Sequence, residues 1–159
     1  MVILEDSRQQ AGKHKEKRER WREWNDDVIR SKLVVGDYAL PPAVSVDTKA
    51  GMAEIAQNIG GSREEHERFR NELKLARACH CVLFVLIENE DGITKLEDVR
   101  RWQNPRRNVS PKAINGPRLE RAMRTMAERY GVRWAFCRPE EAAGIIKQIL
   151  TEGEAYGEK

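Results

Sequence analysis

One stretch constrains the fold more than any other: Cys81–Glu88, with the sequence CVLFVLIE. It is the most apolar run in the chain, and polar residues border it on both sides. A strand with one solvated face alternates apolar and polar residues, whereas a strand buried on both faces is apolar throughout. We therefore predict a central strand of a parallel sheet, in a domain with helices layered against that sheet.

Strands and helices alternate along the rest of the chain. Short apolar or alternating segments predict further strands at Val2–Leu4, Val28–Val35, Val44–Asp47 and Val132–Cys137. Helical spacing of apolar residues predicts helices over Lys13–Asn25, Met52–Ile59, Ser62–Ala76, Leu119–Tyr130 and Pro139–Leu150. Capping-box spacing occurs at Ser62 with Glu65 and at Thr94 with Glu97. This pattern predicts an α/β fold with a central mixed β-sheet flanked by helices, as one domain over residues 1–152 and a flexible tail over 153–159.

Length, cysteines and apolar runs exclude several classes of protein. The chain has 159 residues, enough for one domain with a real core. Its three cysteines are an odd number, which disfavours a disulfide framework and favours a reducing compartment. No signal peptide and no membrane-spanning run is evident, so we expect a soluble, cytoplasmic protein. Cys79, His80 and Cys81 with distant Cys137 could bind zinc, but their spacing is poor for a tetrahedral site.

Positive charge is clustered although the net charge is only +3. One cationic stretch spans Lys13–Arg22 and another spans Arg100–Lys112. Such clusters can follow a phosphate backbone, and the alternative is a solvated helix face and a loop. Three tryptophans, Trp21, Trp24 and Trp102, could form an interface or pack on the core.

The segment from Val34 to Ile59 carries the most suggestive chemistry. Gly36-Asp37 is expected at the end of the second strand, and Asp47-Thr48-Lys49 ends the third. Residues two apart on a strand share a face, so Asp47 and Lys49 point the same way. A hairpin that brings Asp37 beside Asp47 would pair two carboxylates next to an ammonium group. This set suits divalent-metal binding and phosphodiester hydrolysis, although ordinary strand ends with exposed charges are the alternative.

Four segments in a fixed order make the pattern more specific: Asp6-Ser7-Arg8, Gly36-Asp37-Tyr38, Asp47-Thr48-Lys49 and Leu86-Ile87-Glu88. In this order they resemble the XPF-type (ERCC-four) nuclease domain of the PD-(D/E)XK superfamily. Ser7–His14 and Ser110–Ile114 are similar to segments of small phage and bacterial proteins of this type. The resemblance covers about Val2 to Leu150. It implies a restriction-endonuclease-like three-layer fold and a single XPF-type nuclease domain over residues 1–152.

The resemblance also implies roles for individual residues. Asp37 and Asp47 would bind Mg²⁺ or Mn²⁺, Lys49 would be the catalytic lysine, and Asp6 would be a further acid at the metal. Further residues would contact DNA or lie just outside the metal site: Arg8, Lys13, His14, Glu54 and Glu88.

Three positions depart from the family pattern. Gln9 replaces a Glu, Thr48 replaces an Arg, and Ala53 replaces the Asp four positions after the lysine. Glu54, next to Ala53, is a substitute that is out of phase by one residue.

These observations lead to one hypothesis and two rivals. The hypothesis is a Mg²⁺-dependent DNA endonuclease for branched or flapped DNA, acting in recombination or repair as a homodimer or with a partner subunit. It would work in the cytoplasm of a bacterial or phage-infected cell, at the nucleoid. The first rival is a nucleic-acid-binding or scaffold subunit of the same fold that has lost activity. The second is an α/β protein with small-molecule chemistry, which would not bind DNA in a salt-dependent way.

Overall fold

One mixed sheet runs through the computed structural model, which describes residues 2–10, 12, 14–40 and 44–157. Its six strands are β1 (Val2–Asp6), β2 (Asp27–Ser31), β3 (Tyr38–Leu40), β4 (Val44–Lys49), β5 (Val82–Glu88) and β6 (Arg133–Cys137). They lie in the order β2-β1-β3-β4-β5-β6, and β3 is antiparallel to both of its neighbours while the other pairs are parallel. The apolar run forms β5 between two parallel strands, which confirms the predicted central strand.

Five α-helices cover the two faces of the sheet: α1 (Lys15–Glu23), α2 (Met52–Gly60), α3 (Arg63–Ala78), α4 (Gly116–Tyr130) and α5 (Ala142–Glu152). Because side chains alternate along β5, Leu83, Val85 and Ile87 belong to the core beneath α2, α3 and α4. Phe84 and Leu86 belong to the core beneath α1 and α5. The α/β three-layer architecture predicted from the sequence is therefore confirmed.

Local signals explain where the longer helices begin and end. Ser62 and Glu65 form both halves of the predicted capping box, with Glu65 N 3.3 Å from Ser62 Oγ and Ser62 N 2.9 Å from Glu65 Oε2. Helix α4 ends at Gly131, whose φ of +73° is the left-handed conformation typical of helix ends. The box expected at Thr94 uses Asp98 instead of Glu97, and it precedes a 3₁₀ turn at Leu96–Arg101.

The region between β1 and β4 differs from the prediction. The second strand, expected over Val28–Val35, ends at Ser31, and a third strand that the sequence did not predict begins at Tyr38. Gly36 and Asp37 therefore precede β3 rather than end β2. The sequence Pro41-Pro42 predicts a turn before β4, and both residues lie outside the described ranges.

Tryptophan side chains attach the layers to one another. Trp21, on α1, is 0% exposed and donates a hydrogen bond from Nε1 to the carbonyl of Ala143 at 2.9 Å. Trp102 is 7% exposed, so both residues pack on the core, whereas Trp24 remains 42% exposed. In the expected tail, Tyr156 packs edge-on against Phe84 with ring centroids 5.7 Å apart, so this part of the tail contacts the core. No helix in the described ranges has the length and hydrophobicity needed to cross a bilayer.

Candidate active site

Asp37 lies where three strands meet. Its backbone N–H donates to Val46 O at 2.8 Å on β4, and its carbonyl accepts from Asp6 N at 2.7 Å on β1. Its carboxylate Oδ2 accepts two hydrogen bonds from Thr48, from the backbone N at 2.9 Å and from Oγ1 at 2.7 Å. The two donors of Thr48 fix the orientation of Asp37 beside the end of β4.

Asp47 and Lys49 face the same cleft from β4, as the two-residue spacing predicted. Lys49 Nζ and Asp47 Oδ2 form an ion pair at 2.7 Å, and the two residues are only 8% and 5% exposed. Burial raises the pKa of Asp47 to about 7, and the charges of Glu72 and Asp37 add to that effect against the opposing effect of Lys49. Burial lowers the pKa of Lys49, but the Asp47 carboxylate outweighs burial, so the net pKa is raised. Lys49 therefore keeps its proton, while the Asp47 carboxyl is protonated more readily than an exposed aspartate.

The turn before Asp37 requires a glycine. Gly36 has a φ of +77°, and a Cβ on it would lie 2.3 Å from Ser45 Oγ. Ser45 Oγ donates to the carbonyls of Val35 at 2.6 Å and Tyr38 at 3.0 Å, and thus holds both sides of this turn. The Gly36-Asp37 motif therefore has a structural cause, because only glycine lets the chain pass so close to β4.

Asp6 is paired with Arg8. Both of its carboxylate oxygens accept hydrogen bonds from Arg8, at 3.0 Å and 2.9 Å from Nε and 2.9 Å from the backbone N. Burial raises the pKa of Asp6, but these bonds from Arg8 outweigh burial and leave the pKa below its usual value. Arg8 also donates to Leu33 O at 3.0 Å. Asp6 lines the cleft, but its charge is already compensated by a cation of this chain.

A polar cleft of about 830 Å³ brings these groups together. Its lining includes Asp37, Asp47, Thr48 and Lys49, together with Asp6, Arg8, Gln9, Glu54 and residues of α3. The α3 residues are Arg68, Asn71, Glu72 and Leu75. None of these four was identified from the sequence. Their spacing of i, i+3, i+4 and i+7 marks one helix face beside the apolar stripe of Phe69, Leu73 and Ala76, and that signal could have revealed them.

The missing acid at Ala53 has a geometric explanation. Ala53 is exposed and borders a neighbouring pocket with Gln57 and Arg106, not the cleft. Glu54, one residue later, does line the cleft and accepts a hydrogen bond from Ala50 N at 2.8 Å. The residue described as out of phase by sequence is thus the one that faces the site.

Two of the predicted outer residues, Glu88 and His14, are not brought to this cleft. Glu88 lies on the other face of β5 and pairs with Lys17 at 2.5 Å. His14 and Glu88 line a separate pocket of about 440 Å³ beside α1. The sheet register explains this, because Lys49 pairs with Ile87 and the next residue of β5 must face the opposite side. Lys13 lies outside the described residues.

The two aspartates at the end of the hairpin are the candidate metal ligands. Within the described residues, no group of three His, Cys, Asp or Glu side chains is arranged to hold a metal ion. Cys79, Cys81 and Cys137 are all free thiols, at positions that range from exposed to buried. A metal at the hairpin would therefore have two carboxylates from this chain and other oxygen ligands from water or substrate.

The fold has clear counterparts among solved structures. Comparison with protein-family models found no match, and a search of curated proteins found no significant match. XPF from Aeropyrum pernix matches with a TM-score of 0.64 at 17% sequence identity, covering 100% of this chain and 64% of that one. XPF from Aeropyrum pernix in complex with DNA matches with the same TM-score and identity, covering 94% of this chain and 63% of that one. The chain thus spans less than two thirds of the XPF chains, and over that length it has the XPF-type fold that the sequence motifs had led us to expect.

Proposed function

We propose that this protein is a Mg²⁺- or Mn²⁺-dependent DNA endonuclease that acts on branched or flapped DNA. One observation carries the proposal: Asp37, Asp47 and Lys49 line one polar cleft, where Asp47 and Lys49 are buried and Asp37 is half-buried. Two carboxylates beside an ammonium group are the inventory that phosphodiester hydrolysis needs. The fold of XPF and the existence of an XPF complex with DNA support the same substrate class.

The donor set at the hairpin fits Mg²⁺. This ion keeps several waters and is commonly held by one or two carboxylates plus phosphate oxygens, rather than by a cage of protein ligands. Asp37 and Asp47 would provide those carboxylates. Asp6 is not needed as a third ligand, because both of its carboxylate oxygens already accept hydrogen bonds from Arg8. When bound, the ion would neutralise charge on the phosphate and activate water for attack.

The side chains of this chain would perform the remaining tasks. Thr48 holds the Asp37 carboxylate in one orientation through two hydrogen bonds. Lys49 keeps its proton because Asp47 raises its pKa against the effect of burial, so it can donate a hydrogen bond to a phosphate oxygen or orient the attacking water. Arg8 and Arg68 line the cleft at its exposed rim, where they would contact phosphates next to the cut.

A cleavage assay tests the proposal directly. The protein is incubated with branched, flapped and linear DNA of matched sequence, with Mg²⁺ or Mn²⁺ or with EDTA, beside a Lys49→Ala variant. We expect metal-dependent cleavage that favours the branched or flapped substrates and falls by at least a hundredfold in the variant. Cleavage of no substrate, or equal cleavage by the variant, would refute the nuclease. Salt-dependent DNA binding without any cleavage would instead support the scaffold role.

Assembly and location follow as parts of the same proposal. A domain of this size that cuts branched DNA would act as a homodimer or with a partner subunit, at the nucleoid, in recombination or repair. Light scattering of the purified protein with and without branched DNA tests the assembly, and a monomer under both conditions would contradict the homodimer.

A further inference from the structure

Helix α3 reaches across the cleft to the turn that carries Asp37. Glu72 Oε1 accepts a hydrogen bond from the backbone N–H of Gly36 at 3.2 Å, although the two residues are 36 positions apart. The helix is held in place by Phe69, Leu73 and Ala76, which are buried in the core on its inner side. Glu72 extends from the edge of this packed face, so its carboxylate is presented from a rigid element.

The backbone at Gly36 is shaped to meet this carboxylate. Asp37 N is used by β4, where it donates to Val46 O at 2.8 Å, and the left-handed φ of Gly36 changes the direction of the chain one residue earlier. The Gly36 N–H is thereby turned toward α3. A contact made at this residue acts on Asp37 directly, because the two are neighbours in the chain.

The negative charge of Glu72 lies in the same cleft as Asp47 and Lys49, because all three residues line it. Glu54, the other acid of the cleft wall, is engaged by Ala50 N, and Ala53 faces a different pocket.

We propose that Glu72 is a positioning residue of this site, which fixes the Asp37 turn through Gly36 and supplies from α3 the third negative charge that Ala53 lacks. This inference rests on the proposed nuclease function. It predicts that Glu72 strengthens divalent-metal binding through its charge, and that its hydrogen bond mainly supports the fold of the turn. These two contributions can be separated, because glutamine keeps an acceptor for the Gly36 N–H but has no charge.

Calorimetric titration of MgCl₂ into the wild type, Glu72→Gln and Glu72→Ala at pH 8 tests this inference, with thermal melts of each protein. Glu67→Gln is the matched control, since Glu67 lies on the same helix but pairs with exposed Arg63 outside the cleft. We expect the Mg²⁺ Kd to rise at least tenfold in both Glu72 variants and to stay within twofold in the control. The Tm should fall in Glu72→Ala but remain near that of the wild type in Glu72→Gln.

Each other result has a definite meaning. Wild-type Mg²⁺ affinity in Glu72→Gln overturns the charge role, even if Glu72→Ala loses affinity, because the contact would then be structural only. If Glu72→Ala does not fold, the glutamine variant decides alone. A wild type that binds Mg²⁺ but cuts no DNA refutes the nuclease while the comparison of variants still judges Glu72. A wild type that binds no Mg²⁺ overturns both.

Discussion

Replacement of Asp47 with asparagine should make the metal-free protein more stable at pH 8 while it removes cleavage. The reason is that the Asp47 carboxyl is buried with a pKa of about 7, whereas in an unfolded chain it titrates near 4. Below about pH 4 the group is neutral in both states, so it has no effect on the free energy of unfolding. Between pH 4 and 7 the unfolded chain ionises first, so stability is lost as the pH rises, and the full penalty remains above pH 7.

The size of the change in the free energy of unfolding follows from the shift in the pKa of Asp47. Three pKa units at about 1.4 kcal/mol each give an upper limit of about 4 kcal/mol at pH 8. This limit already includes the ion pair with Lys49, which opposes the rise in the Asp47 pKa. We therefore expect a gain of at most about 4 kcal/mol, and each kcal/mol raises the Tm by roughly 2–4 °C for a chain of this length.

Thermal melts of both proteins in EDTA from pH 4.5 to 8 measure this gain. The difference in Tm should be small or negative at pH 4.5 and should grow steadily toward pH 8. Added Mg²⁺ should then raise the Tm of the wild type but not of Asp47→Asn, because binding to the native state alone stabilises it. A difference in Tm that does not change with pH, or that shrinks as the pH rises, would refute a carboxyl group at this position whose pKa is raised by burial.

Three further substitutions test other parts of the structure. Gly36→Ala should lower stability by about 1–3 kcal/mol because its Cβ would lie 2.3 Å from Ser45 Oγ, and an unchanged denaturation midpoint would contradict the left-handed turn. Asp98→Asn should destabilise at pH 7 but not at pH 2, since hydrogen bonds from Thr94 lower the Asp98 pKa to about 2 and stability is lost as the pH falls through that value; melts that differ equally at both pH values would disprove this. Trp21→Ala should cost about 3–5 kcal/mol in urea unfolding, with Trp24→Ala as the exposed control, and equal costs would argue against α1 as part of the core.

Local signals were sufficient for the elements that depend on neighbours in the chain. The run that forms β5 is apolar at every interior position because both faces of the strand are covered. The capping box of Ser62 and Glu65 closes within four residues and forms as predicted. At Thr94 the box is shifted by one residue: Lys95 is the cap, and Asp98 accepts hydrogen bonds from the N–H groups of Thr94 and Lys95.

Elements that depend on distant pairing could not be predicted in the same way. Strand β3 has only three residues, and it exists because it pairs with β1 on one side and β4 on the other. A segment so short has too little periodicity to be identified from its own sequence. The position of Asp37 depends on this strand: the sequence placed Asp37 at the end of a strand over Val28–Val35, whereas it directly precedes β3 and donates to Val46 O on β4.

The residues of the candidate site show the same contrast between positions set by neighbours in the chain and positions set by distant contacts. Asp47 and Lys49 share a face because they are two apart on one strand, which the sequence alone determines. The position of Glu88 could be predicted only from the register between β4 and β5. Lys49 pairs with Ile87, so Glu88, the next residue, faces the opposite side of the sheet. The position of Glu72 in the cleft could be predicted only from the packing of α3 against the sheet, because its contact with Gly36 joins residues 36 positions apart.

The absence of an acid at Ala53 is weaker evidence against activity than the sequence suggests. Successive residues of an α-helix point about 100° apart, so a shift of one position moves a side chain from one face to another. In α2 that rotation leaves Ala53 beside Gln57 and Arg106 and turns Glu54 into the cleft. An aspartate at position 53 of this chain would therefore place its charge near Arg106 rather than near Asp47. The metal site that we propose needs negative charge in the cleft, and both Glu54 and Glu72 line that cleft, from two different helices.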